Sequence, residues 1–430
     1  MTGTHPLHVA IVGSGPSGCY LAQSLLRSLP DAQIVIFDRL ASPYGLIRYG
    51  VAADHQHTKA ITRQFERLFQ SPNVRFAGNI ELGRDLSLDE LREHFNAVVI
   101  ATGLSGDHAL GVPGDTLPGV IGAGSLTRAL NAHPDETAEL PALGDDVVIV
   151  GAGNVALDLL RFLVKDREHY EASDIADPLL ERYLAAPAKR ITLVSRSAAA
   201  LSKGDPQMLR ELATLPRANY RLHEASEPLS KVPSDRDLDR TETARVAAFE
   251  ELLSADRDAQ GGPEVTLCFG MSPLRVLGDT AVEGIELTSG ETVTLVPASA
   301  TLTAIGFAPT GAFTELITTH ASNAEIGRVE PGLYRTGWAK RGPRGAIPEN
   351  RACAKSVAEE IVADTTSGSL PVSAATLGFE GLPAELRTRA IDYNQWLTLD
   401  AHERELAPAS RIRQKISDHD RMVAIARGQS

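Results

Sequence analysis

The stretch HVAIVGSGPSGCYLAQSLL, residues 8–26, decides the fold. An apolar run opening at His8 ends in Gly13, and Gly13, Gly15 and Gly18 form a GxGxxG immediately before a helical pattern. Gly13 permits a tight turn, Gly15 lets backbone amides approach a pyrophosphate, and Gly18 allows the helix to pack closely on the strand. The start of that helix adds free N–H groups and a positive dipole end, so the unit is suited to a dinucleotide. Asp38 closes the next apolar run, QIVIFD, twenty residues after Gly18. An acid at that place accepts hydrogen bonds from an adenosine ribose.

The pattern recurs at DVVIVGAGNVALDLLRFL, residues 146–163, where Gly151, Gly153 and Ala156 give the GxGxxA variant between a strand and a helix. Here the following strand, RITLVSRS, ends in Arg196 and Ser197 instead of an acid. An arginine at this place is how such folds receive a 2′-phosphate. The two units together imply FAD in the first and NADP in the second, because hydride chemistry between nicotinamide and flavin needs both rings in one protein.

Along the rest of the chain, strand-length apolar runs at His8–Gly13, Gln33–Asp38, Val98–Gly103, Asp146–Gly151, Arg190–Ser195, Val265–Gly270 and Ser299–Gly306 alternate with helical patterns. Such alternation predicts parallel sheets, an α/β fold with two Rossmann-like dinucleotide-binding domains. A chain of 430 residues is long enough for two or three cores. Its net charge of -13 argues against nucleic acid or an anionic membrane as main partner. No apolar run reaches the roughly 18 residues of a membrane helix, and no signal-peptide pattern precedes the first strand, so the expected location is cytoplasmic. Cys19, Cys268 and Cys353 are widely spaced, which leaves no CxxC pair for zinc or for disulfide redox chemistry, and no cysteine cluster for an iron–sulfur centre.

Beyond the fingerprints, SPYGLIRYGVAADHQHTK (42–59), NVRFAGNIELGRDLSLDEL (73–91), GNVALD (153–158), GWAKRGPRGAI (337–347) and DAHERELA (400–407) occur in fixed order. In these motifs the chain resembles the adrenodoxin reductase-like ferredoxin–NADP reductases over nearly its whole length. The resemblance implies a glutathione reductase-like architecture. An FAD domain would comprise 1–104 and 332–430, with an NAD(P) domain inserted at 105–331. It also implies electron flow from NADPH through FAD to a ferredoxin-type iron–sulfur protein, with a cytochrome P450 as one class of enzyme downstream. A monomer is expected.

Carried over onto matching positions, the family's FAD contacts fall on Ser17, Asp38, Leu46, Ile80, Trp338, Gly345, Ala346 and Ile347. Asp38 stands where the family usually has glutamate. Pro348 suits the first turn of a helix running through about Asp364, whose positive end would favour anionic reduced flavin. The NADP contacts fall on Ala152, Gly153, Asn154, Val155 and Arg196. The family's double arginine is here Arg196–Ser197, and Met208 replaces a glutamate, so an NADH-preferring or small-molecule-reducing flavoprotein is the alternative. His55 and Glu211 match a family pair implicated near the nicotinamide, in placement or proton relay. Lys340, Arg341 and Arg344, and a stripe of Arg411, Arg413 and Lys415, are the candidate basic surface for an acidic ferredoxin. TRALNAHPDE (127–136) lacks the tryptophan and tyrosine that the family shows before Asn131.

Overall fold

The computed structural model describes residues 5–136, 142–255, 262–345, 347–370, 372 and 375–429. The chain forms two compact units, one from Met1–Gly106, Asn131–Asp135 and Phe307–Ser430, the other from Asp107–Leu130 and Glu136–Gly306.

In the first unit six strands lie in the spatial order Arg328–Glu330, Leu333–Arg335, Ala97–Ile100, His8–Val12, Gln33–Phe37, Val74–Ala77. Every neighbouring pair is parallel except the first. The central strands read as continuous apolar runs because both sheet faces are covered. On one face Val9, Ile11 and Val99 pack with Cys19, Leu21 and Leu25 of the helix Pro16–Ser28 and with Val357 and Ile361 of the helix Ile347–Ser367. On the other, Ala10, Val12, Val98, Ile100 and Leu333 pack with Ile317 and Phe379.

The chain rejoins this unit at Phe307, earlier than the expected 332, for packing reasons. Phe307 stacks on Trp338 with ring centroids 5.2 Å apart. Ile317 enters the core, and Arg328–Glu330 extends the sheet by pairing with Leu333–Arg335.

The second unit holds an all-parallel sheet in the order Val120–Gly122, Ala300–Thr303, Asp146–Val150, Arg190–Ser195, Glu264–Phe269, Asn219–Leu222. An antiparallel meander comes after Glu264–Phe269: Ser272–Leu277, Gly284–Ser289 and Thr292–Pro297. All seven apolar runs read from the sequence form strands. Val74–Ala77, Val120–Gly122, Asn219–Leu222 and the meander escape that reading: the first three are only three or four residues long, and the meander exposes apolar residues such as Leu274, Val293 and Leu295, which blurs its alternation.

Charge also organises the first unit. The Arg48 Nη2 donates to both oxygens of Glu403, at 2.5 and 2.7 Å, with the residues 5 % and 0 % exposed. Glu403 further accepts from Arg413 and from the Ile416 amide, each at 3.1 Å, while the Arg48 guanidinium lies 4.9 Å from the Trp396 ring centre. Burial pulls the Arg48 guanidinium down, Glu403 and Tyr49 pull it up, and the net direction is up, so the guanidinium stays charged. Around it Lys59 and Lys415 both donate to Asn131 Oδ1, at 2.6 and 2.9 Å. Asn131 is fully buried and donates to Val51 O. These bonds hold the short Asn131–Asp135 segment in the first unit.

Replacing Glu403 by Leu leaves a buried guanidinium without its carboxylate and is expected to destabilise the first unit by about 3–5 kcal/mol. The chain's two tryptophans, Trp338 and Trp396, both belong to that unit, so urea unfolding followed by tryptophan fluorescence measures the effect. Adding Arg48→Met in the same chain should restore most of the loss.

Candidate functional site

In the first unit the strand His8–Val12 turns at Gly13, whose φ is +113° and where a Cβ would meet Ala101 O at 2.5 Å. Only glycine fits there. Gly18, on the first turn of the helix, is tied closer still: a Cβ would meet Gly13 O at 2.1 Å. Gly15, which precedes that helix, differs in kind, because a Cβ there meets no atom within 4 Å. Two glycines are therefore demanded by the protein's own packing, and the third leaves an open approach to the helix N-terminus.

The other predicted flavin-side residues gather at this turn. Asp38 accepts from the Ser14 amide at 3.0 Å and hydroxyl at 2.5 Å through Oδ2, and from the Leu40 amide at 3.0 Å through Oδ1. A carboxylate offers about four lone-pair sites, so one acceptor direction stays available. The Asp38 carbonyl fixes buried Ile80 through its amide at 3.0 Å. Leu46 opens a short helix after Gly45, whose Cβ would lie 3.1 Å from Gly15 Cα, and Tyr44 N donates to Ser14 O. Ser17 Oγ donates to Asn350 Oδ1 at 3.0 Å, and a Cβ on Gly337 would meet Ser17 Oγ at 2.0 Å. The segment before Trp338 thus lies directly against the fingerprint helix. Trp338 Nε1 donates to Gly345 O at 3.3 Å, Gly345 has φ +76°, and Ile347 starts the helix Ile347–Ser367. Ala346 lies outside the described residues. Gly13, Gly15, Ser17, Gly18, Asp38, Leu46, Ile80, Trp338, Gly345 and Ile347 all belong to this unit.

The second unit repeats the geometry. Gly151 has φ +125° and no room for a Cβ, which would lie 2.2 Å from Ala304 O, whereas a Cβ on Gly153 meets only Lys203 Cβ at 3.8 Å. Ala152 and Ala156 are buried, Val155 is half-buried, and exposed Asn154 accepts from the Asp205 amide at 2.9 Å. That bond sets Lys203 beside the open glycine. Arg196 comes directly after the strand Arg190–Ser195 and is exposed, with a neighbour, Ser197, whose amide donates to Ser195 Oγ. Met208 sits half-buried on the helix Pro206–Thr214.

Of the pair His55 and Glu211, each belongs to a different unit. His55 is half-buried and caps the helix Gln56–Lys59, its amide donating to Ala52 O. The Glu211 carboxylate accepts from Arg161 at 2.6 Å, and Arg161, 2 % exposed, also donates to Asp158 at 3.0 Å. His57 is exposed.

The expected basic surface needs correction. Lys340, Arg411 and Lys415 are 5 %, 9 % and 8 % exposed, and Arg413 is bonded to Asp400 and Glu403. The C-terminal run reads as a charged stripe in sequence but its cations turn inward to carboxylates and carbonyl oxygens. Arg344 is exposed, and Arg341 is half-buried on Asn350 Oδ1 and Arg344 O. Phe307, whose ring packs on Trp338, lies in no glycine motif and carries no local signal in the sequence. All three cysteines are unpaired; burial pushes the Cys19 thiol up, and that of Cys268 up to about 12. Neither is a ready thiolate.

The sequence pattern of the pyridine nucleotide-disulphide oxidoreductases matches residues 7–214. Cindoxin reductase of Citrobacter braakii is 38 % identical over 98 % of this chain and 92 % of its own length. The chain belongs to the adrenodoxin reductase-like ferredoxin–NADP reductase family. Within that family the mitochondrial NADPH:adrenodoxin oxidoreductase of Arabidopsis thaliana is 31 % identical, covering 98 % of this chain and 96 % of the relative. The solved structure of FprA, a Mycobacterium tuberculosis oxidoreductase, superposes with a TM-score of 0.87 at 27 % identity, covering 98 % of this chain and 100 % of that one. As a family member with Cys19, Cys268 and Cys353 unpaired, the chain shares the disulphide reductases' architecture without a redox cysteine pair.

The two kinds of fingerprint glycine make a sharp expectation. Gly18→Ala should destabilise the first unit by about 1–3 kcal/mol through overpacking. Gly15→Ala should leave its stability within roughly 0.5 kcal/mol of the parent, both read from urea midpoints of the flavin-free protein.

Proposed function

We propose that this chain is an FAD-dependent ferredoxin–NADP reductase in which the first unit holds FAD and the second NADPH. The observation that carries the reading is the doubled cradle, each with its outer glycine closed by protein and its middle glycine open, one leading to Asp38 and the other to Arg196. When bound, FAD accepts two electrons from a nicotinamide and can release them singly to an iron–sulfur centre.

The residues of the chain then bind and orient. The amides after Gly13 and at the start of the helix Pro16–Ser28 receive a pyrophosphate, and the remaining acceptor direction of Asp38 takes a ribose hydroxyl. Leu46, Ile80, Trp338, Gly345 and Ile347 enclose the flavin, with Phe307 holding Trp338 in place. Ala152, Gly153, Asn154 and Val155 receive the second pyrophosphate, with Lys203 beside them. Exposed Arg196 meets the 2′-phosphate. His55 and Glu211 serve placement of the nicotinamide, Glu211 being held in place by Arg161. The electron acceptor is an acidic ferredoxin-type protein steered by cations near the flavin, among which Arg344 stands exposed. The protein acts as a monomer in the cytoplasm; among the described residues no helix is long and apolar enough to cross a membrane.

A second reading, NADH preference, has a specific basis: a lone Arg196 next to Ser197, with Met208 in place of an acid. Anaerobic stopped-flow reduction of the yellow protein separates the two. NADPH is expected to reduce the flavin band with the lower apparent Kd, and Arg196→Ala should raise that Kd roughly 10- to 150-fold, the loss of one charge-assisted bond of about 1.5–3 kcal/mol, while leaving NADH unchanged. Equal Kd values for both nucleotides in the parent protein would favour the second reading. Gly15→Ala, tolerated by the fold, should weaken FAD retention at least tenfold in equilibrium dialysis, because its methyl fills the approach to the pyrophosphate.

A further inference from the structure

Arg335 ends the strand Leu333–Arg335, two residues before the GWAKRGPRGAI motif, and pairs there with Ile100 at the end of a parallel neighbour. Alternation along the strand puts it on the face of Leu333, among Ile317, Ala339 and Trp338. It is 1 % exposed. Its Nη2 donates to His320 O and to Asn323 O, the latter at 2.6 Å, and its Nη1 donates to Ala339 O at 3.4 Å. Its Nε is buried without a partner.

Two other fully buried guanidinium groups are balanced: Arg48 by Glu403, Arg161 by Asp158 and Glu211. Among the described residues Arg335 has carbonyl partners and no carboxylate. Burial alone pushes its guanidinium below the ordinary value, yet an arginine remains protonated in proteins. A full positive charge is therefore held in a water-poor place with only backbone dipoles around it, an arrangement that disfavours the folded protein unless a negative charge arrives nearby. The position says where such a charge would arrive. The C-terminal ends of parallel strands face the ligand crevice of open α/β sheets. The Ala339 carbonyl that Arg335 grips also comes directly after Trp338.

Resting on the FAD reading above, we infer that Arg335 sets the reduction potential of the flavin site. A flavin held here would take from NADPH two electrons and one proton as a hydride, leaving NADP+, and would thereby gain one net negative charge. The unbalanced guanidinium stabilises that charge, favours the reduced form and raises the potential. Arg335 acts here as a positioning charge and takes no part in proton or electron transfer.

The test is the midpoint potential of the FAD-loaded protein, measured by equilibrium against reference dyes, for the parent, Arg335→Met and Arg335→Lys. Arg335→Met is expected to shift the equilibrium toward oxidised flavin by at least tenfold, a fall of about 30 mV for a two-electron couple. Arg335→Lys keeps the charge but cannot reproduce the three-carbonyl grip, so its melting temperature should fall while its potential stays within about threefold of the parent equilibrium. A merely structural clamp predicts the reverse grouping, with potential unmoved in the Met variant, or shifted alike in both variants; either result overturns the inference. If Arg335→Met fails to hold FAD, Arg335→Gln, neutral but still able to donate to the carbonyls, takes its place under the same criterion. A parent protein with no flavin absorption band after incubation with FAD would overturn the cofactor reading itself, and is seen in the spectrum before any potential is measured.

Discussion

The contact between Arg48 and Glu403 joins residues 355 positions apart, and much of the first unit depends on it. The guanidinium lies between the Tyr49 and Trp396 rings, with the carboxylate at its edge, so two distant motifs are bound by one charge pair and aromatic faces. Arg413 and the Ile416 amide share the same carboxylate. Lys59 and Lys415 both reach back to the Arg48 carbonyl. A buried pair of this kind is a poor source of net stability but a strong source of uniqueness: few other arrangements satisfy it. That explains why SPYGLIRYG and DAHERELA accompany one another in a single sequence.

Both nucleotide cradles were legible because their signals are local. A strand, three small residues at fixed spacing and a helix all fall within about twenty positions, the range over which sequence pattern speaks directly to geometry. The flavin-side residues Leu46, Ile80 and Trp338 were reachable only through resemblance, since long-range packing is what brings their segments to Ser14, Asp38 and Ser17. The basic stripe at 411–415 shows the limit of charge reading: Arg413 and Lys415 look solvated in sequence, yet their partners, Asp400, Glu403 and Asn131, are supplied by other segments, and Arg411 is buried with a guanidinium bond to Ser410 O. Phe307 and Arg335 left no trace because each falls just outside a recognised stretch, Phe307 after Ser299–Gly306 and Arg335 before GWAKRGPRGAI. The short strands at 120–122 and 219–222 join their sheet through backbone pairing that their side chains do not announce.

The two cradles are alike in shape and different in charge. In each, the outer glycine is fixed by a carbonyl, Ala101 O or Ala304 O, and the middle one is left clear. The distinction comes from the residue just past the next strand: Asp38, with most of its acceptor capacity already spent on Ser14 and Leu40, or Arg196, exposed to whatever approaches. A small change at one strand end thus separates a tightly organised site from one open to exchange. A bound cofactor needs the first kind and a turning-over nucleotide the second.

The composition of the first unit from chain segments far apart also dictates an order of events during synthesis. Four strands, from His8 to Ile100, can pair as soon as they leave the ribosome, but the side of Ala97–Ile100 that accepts Leu333–Arg335 stays an open edge until more than two hundred further residues have been made. The second unit, whose residues all lie between these points, can complete its sheet first. Until residue 335 emerges, the nascent chain therefore carries an unsatisfied apolar edge, a natural binding place for a chaperone and a point of risk for mispairing.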